Sequence, residues 1–270
     1  MRATDLLEEL SARDRAVALG AVALVALLAS LYTVFGVGMQ MSAIQMTSMA
    51  GPPGNPMSMP PGSDWTVLQG FLLFAMWWIM MIAMMTPSAA PTMLLFAALK
   101  GKSGTGSKAT LAIWLFLGGY LFLWAGFSAA AMLLQWGLQQ SEILAARMMT
   151  VKGGTAAGAI LVAAGLYQLT PLKRACLKQC QSPARFLTVN HRPGLKGAFL
   201  MGGHHGAYCV GCCWALMILL FVGGVMNLWW IVGLAVLVAL EKLIGPRFAL
   251  TEIIGAILIA AGVVFAASGP

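Results

Sequence analysis

Charge is what this chain of 270 residues has least of: Asp, Glu, Lys and Arg together make up 9% of it. A soluble chain carries about 25%, so an ordinary water-facing domain is excluded for most of the length. ATP-binding machinery is missing too. The glycines between Lys100 and Lys108 lack the GxxxxGK[ST] order, and no strand precedes them. Primary pumping by this chain alone is therefore excluded as far as motifs decide it. The first fifteen residues mix Asp5, Glu8, Glu9 and Asp14 with Arg2, Arg13 and Arg15, which is not the simple basic run of a secretory signal.

What is present is apolar. Hydrophobic residues make up 60% of the chain and the mean hydropathy is +0.86, the composition of a polytopic membrane protein. Crossing ~30 Å of hydrocarbon takes about 20 apolar residues in a helix. Stretches near that length fall at 16–36, 66–86, 110–135 and 154–171, and shorter ones at 207–223, 228–244 and 251–267. The expected fold is all-α: a bundle of about seven transmembrane helices. A short cytoplasmic helix at 1–15 leads into the first span at 16–36. An outside loop covers 37–65, and 66–270 forms the remaining bundle.

Orientation follows from the basic residues, which collect on the cytoplasmic side. With the N-terminus inside, 14 of the 16 Lys and Arg residues fall in inside segments, and only Arg147 and Lys152 fall outside. The C-terminus is then outside. The net charge of +8 belongs to cytoplasmic loops, so lipid and not nucleic acid is the expected neighbour. The inner (cytoplasmic) membrane of a bacterium is the expected location.

Methionine is concentrated in two places. The loop 37–65 carries Met39, Met41, Met46, Met49, Met57 and Met59 among Gly, Pro and Ser, with no helical or strand period. Thioether sulfur is soft and needs no deprotonation, so such a cluster can capture Cu(I); packing of the loop onto the membrane surface is the plainer reading. In the second span Met76, Met80 and Met84 recur every four residues and form one stripe, a relay or simply packing. The following run Thr86–Pro91 holds two prolines and is expected to break or kink the helix. Broken helices are typical of transport sites.

All five cysteines and all three histidines lie within 176–213. Cys176 and Cys180, four apart, share a face if that segment is helical, with Lys173, Arg174 and Lys178 around them. His204 and His205 precede Cys209, Cys212 and Cys213, and His205 with the three cysteines occupies one arc of a helix; Met201 joins it one turn earlier. Soft thiolates beside imidazole suit Cu(I), with zinc second. Structural disulfides are not expected, because this topology puts the cysteines at the reducing side. Glu241 and Lys242 end the sixth span, where Glu241 is free to pair with Lys242 or the histidines.

Several of these stretches together resemble one family. They are WWIMMIAMMTPSAAP at 77–91, YQLTPLKRACLKQCQSP at 167–183, GHHGAYCVGCCWALM at 203–217, GGVMNLWW at 223–230 and Glu241-Lys242. Over roughly 65–265 the chain resembles the DUF2182 family of predicted metal-binding integral membrane proteins. The resemblance implies a membrane metal site and no particular reaction.

The sequence thus points to soft-metal binding, transfer or transport more than to an enzyme. The metal site would comprise His204, His205, Cys209, Cys212, Cys213, Cys176 and Cys180, and a metallochaperone or a membrane cuproenzyme would be the partner. A membrane thiol–disulfide oxidoreductase using the cysteine pairs is the second reading. A structural or assembly subunit of a membrane complex is the third.

Overall fold

The computed structural model describes residues 12–35, 42–50, 66–101, 106–145, 149–244 and 249–267. Most of the expected helix at 1–15, together with Met39, Met41, Met57, Met59 and the C-terminal Ser-Gly-Pro, lies outside the described residues. Within them the protein is all-α apart from a small antiparallel ribbon, β1 (Leu144–Ala145) with β2 (Thr150–Val151). In order, the helices are α1 (Ala12–Phe35), α2 (Ala43–Ser48), α3 (Val67–Gly101), α4 (Gly106–Gln140) and α5 (Gly154–Gln168). They continue as α6 (Pro171–Cys180), α7 (Pro183–Val189), α8 (Gly194–Ile218), α9 (Leu220–Gly223), α10 (Leu228–Ile244) and α11 (Leu250–Ala267).

Four stretches are long and apolar enough to cross a membrane: Val67–Lys100, Ala109–Gln140, Gly194–Gly223 and Leu250–Ala267. A fifth is available if α5 and α6, bent by 66° at their junction, count as one broken span. This is fewer than the seven expected. Helix α10 has 17 residues, which at 1.5 Å per residue is about 26 Å and short of the hydrocarbon thickness. Val22–Phe35 of α1 is a further, shorter apolar stretch among the described residues. Outward faces are apolar, as at Leu27, Phe71, Phe122, Trp229 and Val264, which fits a protein that sits in a membrane.

Three local expectations change. Helix α3 runs unbroken through Pro87 and Pro91. The prolines free the carbonyls of Ala83 and Pro87, four residues before each; between these two the Met85 carbonyl accepts from both Ser88 Oγ (2.9 Å) and Tyr120 Oη (3.0 Å). The fifth span starts at Gly194, well before 207, with the Gly-His-His-Gly run inside α8. Gly194 has φ +76°, a value other residues rarely adopt.

The loop 37–65 contains a helix. Ser42 and Gln45 form a reciprocal capping box on α2. Met46 on α2 is buried in the core. Thr47 Oγ1 accepts from the Leu228 amide at 2.9 Å, tying the loop to the start of α10.

Glycines set which helices touch. A Cβ on Gly202 would overlap the Phe116 carbonyl, and one on Gly119 the Phe199 carbonyl, so α4 and α8 pack backbone to backbone. Gly158 and Gly165 do the same for α5 against Gly262 and Gly255 of α11. Small residues permit this close approach in helix bundles. The core between α3, α4, α8 and α9 is filled by Met80, Met81, Met85, Trp77, Phe116, Trp124 and Phe221, each at most 1% exposed.

Candidate metal centre

Helix α8 is the spine of the site. Met201, His205, Cys209, Cys212 and Cys213 are all buried on it, each 2% exposed or less, and the arc expected from their spacing is the arc that is covered. His204 lies about 100° around the helix from His205 and is exposed. Met201 Sδ accepts from the Arg192 amide at 3.3 Å.

The three cysteines of α8 face three different neighbours. Cys209 Sγ lies 3.0 Å from Lys242 Nζ on α10 and 3.1 Å from Tyr120 Oη on α4. Cys212 Sγ faces α6, with Cys180 Sγ at 4.0 Å. Cys213 Sγ faces α3, with Met85 Sδ at 3.8 Å. Both Cys212 and Cys213 also donate to the Cys209 carbonyl, at 3.1 and 2.9 Å, which fixes their sulfurs on either side of Cys209. Cys176 packs against Gly211, where a Cβ would come within 2.8 Å of its Sγ. All five cysteines are free thiols.

These sulfurs come together in pairs. Among the described residues no group of three His, Cys, Asp or Glu side chains is arranged to hold a metal ion. Two sulfur ligands each about 2.3 Å from one ion lie roughly 3.8–4.0 Å apart at tetrahedral to trigonal angles. Cys180–Cys212 and Cys213–Met85 both have that separation. His205 packs between Phe186 (ring centroids 5.1 Å apart) and Tyr120 (5.7 Å). Its Nδ1 is buried without a hydrogen-bond partner, which is costly unless a ligand or water satisfies it.

Two lysines enter the same region and are treated differently. Lys173 Nζ on α6 meets Glu241 Oε2 on α10 at 2.7 Å, with both side chains at most 1% exposed. Gln168 Nε2 donates to Glu241 Oε1 at 2.8 Å, and Gln181 Nε2 to the Glu241 backbone carbonyl at 2.7 Å. Glu241 therefore pairs with Lys173, and not with Lys242 or the histidines. Lys242 turns the other way, to Ser88 Oγ (2.8 Å) and Cys209 Sγ. Among the described residues it has no carboxylate partner. A buried ammonium without a carboxylate is costly unless it is paired or gives up its proton, and the sulfur beside this one is Cys209 Sγ, at 3.0 Å.

Of the methionines named as a relay, Met76, Met80 and Met84 are buried, and so are Met81 and Met85. Met85, on the neighbouring stripe, lies against a cysteine, Cys213. Met46 is core and Met49 is half-buried, so neither offers an open capture surface. Sequence reasoning missed Met85, Tyr120 and Ser88 as members of the site. Met85 had a signal, because Met81 and Met85 repeat at the same spacing of four one position along.

The family model PpoB2, described as copper chaperone, matches residues 74–265. That stretch lies within the region whose motifs resemble the metal-binding membrane family. No curated protein and no solved structure matches the chain. The matched residues make up well over half of the chain and hold every cysteine, Met85 and Lys242. By that match the chain belongs to the PpoB2 family of copper chaperones.

Proposed function

We propose that this protein binds Cu(I) inside the bundle, between α3, α6 and α8, and hands it to a protein partner. The carrying observation is the convergence of buried soft donors: Cys180 and Cys212 at 4.0 Å, Cys213 and Met85 at 3.8 Å, and Cys209 beside Lys242. Cys176 stands next to the first pair across Gly211, and His205 supplies a buried nitrogen. Copper is cargo here, and the protein's part is to hold it among ligands that exchange. Soft sulfur donors replace the hydration shell of a monovalent ion without burying extra carboxylates. Lys242 balances the negative charge that thiolate ligands bring.

The membrane arrangement we propose has seven crossings, with α1 and the shorter α10 beside the four long helices and the bent α5–α6 pair. The N-terminus faces the cytoplasm, on the positive-inside bias, and the membrane is the bacterial inner membrane. The methionine-rich segment then faces outward, with Met39, Met41, Met57 and Met59 as first captors and the α3 methionines leading inward. A metallochaperone or a membrane cuproenzyme is the partner that completes the transfer. Motif likeness favours placing the DUF2182 metal-binding proteins close to this family.

The test is elemental analysis of the detergent-purified chain after anaerobic Cu(I) loading, wild type against Cys209/Cys212/Cys213→Ser. Stoichiometric copper that is lost in the triple variant is the expected result. A folded wild type that takes no copper but forms a Cys180–Cys212 disulfide under mild oxidation would replace this reading with thiol redox chemistry.

A further inference from the structure

Neighbouring residues on a helix point about 100° apart, and Cys212 and Cys213 use that divergence to reach two different helices. Cys212 reaches the thiol of Cys180, whereas Cys213 reaches the thioether of Met85. We propose that Met85 and Cys213 form a Cu(I) position of their own, and that copper passes from it to the Cys180–Cys212 dithiol. This deepens the reading of the cluster as a Cu(I) site and rests on it.

Four observations support the division. The Met85–Cys213 separation of 3.8 Å is a bridging distance for one ion with bonds of about 2.3 Å. Both residues are fully buried, at 0% and 1% exposure, so the contact is not a surface accident. The Met85 backbone is held in place from two sides, since its carbonyl accepts from Ser88 and Tyr120. That pins the turn from which its sulfur projects. Finally, Met85 belongs to a series of buried methionines on α3, with Met76, Met80, Met81 and Met84 before it and Met93 two turns beyond. Met81 lies one turn ahead of it on the same stripe.

The order of the two positions follows from donor chemistry. A thioether is neutral and binds Cu(I) weakly but needs no proton to leave, whereas a thiolate is anionic and binds strongly. A mixed thioether–thiolate position accepts copper from a methionine path, and a dithiol holds it afterwards. In the hand-off the copper stays Cu(I) and no electron moves. The bonds to Met85 Sδ and Cys213 Sγ break, and bonds to Cys212 Sγ and Cys180 Sγ form. Cys213 takes up one proton, Cys212 and Cys180 each release one, and the surplus proton goes to water.

The experiment uses the full chain in detergent, labelled with methyl-13C methionine and titrated anaerobically with Cu(I) supplied as its acetonitrile complex. The Met85 methyl signal is assigned by its disappearance in Met85→Leu. In the Cys180→Ser/Cys212→Ser variant the first equivalent of Cu(I) is expected to move the Met85 methyl signal. Adding Cys213→Ser is expected to abolish that movement. A Met85 signal that stays put while the double variant binds copper, or that moves equally without Cys213, overturns the separate position. So does a double variant that binds no copper although the wild type does. In those cases the proposed function stands. A wild-type chain that binds no Cu(I) at all overturns both.

Discussion

Helices α4 and α8 meet through Gly119, Gly202 and Gly206, while α5 and α11 meet through Gly158, Gly165, Gly255 and Gly262. In both pairs, leaving out Cβ lets two backbones touch, yet the surroundings have little in common. Helix α8 turns His205, Cys209, Cys212 and Cys213 toward its neighbours and buries all four. Helix α11 buries Gly255 and Gly262 and leaves Ile253, Ile257, Val263 and Val264 exposed. Glycine contact in this molecule is a way of closing helices and carries no functional information by itself. What marks the site is the set of sulfur and nitrogen groups that close packing shuts away from lipid and water. A charged tie connects the two parts: Lys173, on the bent continuation of α5, reaches Glu241 on α10, whose next residue holds Cys209.

Cutting that tie should have the largest effect. Glu241→Leu leaves Lys173 buried without its carboxylate, which costs about 3–5 kcal/mol and lowers the Tm of the detergent-solubilised chain. The double variant Lys173→Met/Glu241→Leu should recover most of the loss, because replacing a whole buried pair by apolar side chains is often neutral. An unchanged Tm in the single variant would mean that the two parts hold together without this pair.

Next come the glycines themselves. Gly202→Val and Gly262→Val each drive a side chain into facing backbone, at ~1–3 kcal/mol or somewhat more. Measured per folded chain, Cu(I) binding should fall in Gly202→Val and persist in Gly262→Val. Equal losses in both would break the contrast between the two pairs. His204→Ala should matter least. Its side chain is exposed, so stability should stay within about 0.5 kcal/mol and chelator competition should return the wild-type copper affinity. A weaker affinity would draw His204 into the site beside His205.

Much of this was readable from spacing alone. His205, Cys209, Cys212 and Cys213 fall on one arc of any α-helix, and that arc is buried. Cys176 and Cys180 do share a helix, and it does pack against α8. The stripe on α3 was harder. Met76, Met80, Met81, Met84 and Met85 fill two adjacent stripes, and the period of one helix does not say which stripe a partner helix covers. The same limit applies at Glu241 and Lys242, where the rotation of α10 sends one residue to Lys173 and the other to Cys209. At Thr86–Pro91 local rules point to a break. The helix continues there all the same, with Met84, Met85, Ala89 and Met93 on both sides of the prolines buried against the rest of the bundle.

By itself, the sequence determined that this chain is helical and apolar, that its soft ligands cluster at 176–213, and that four of them share a face. Composition and helical period are local properties and survive without knowledge of the neighbours. Tertiary structure alone decided the partners of each ligand: Cys180 for Cys212, Met85 for Cys213, and Lys242 with Tyr120 for Cys209. Those choices depend on how α3, α4, α6 and α10 are rotated about α8. Backbone contact at Gly202 and Gly119, with the Cys176 side chain against Gly211, sets that rotation in part, and the charged tie at Glu241 contributes on the α10 side. All of these contacts join residues far apart in the chain.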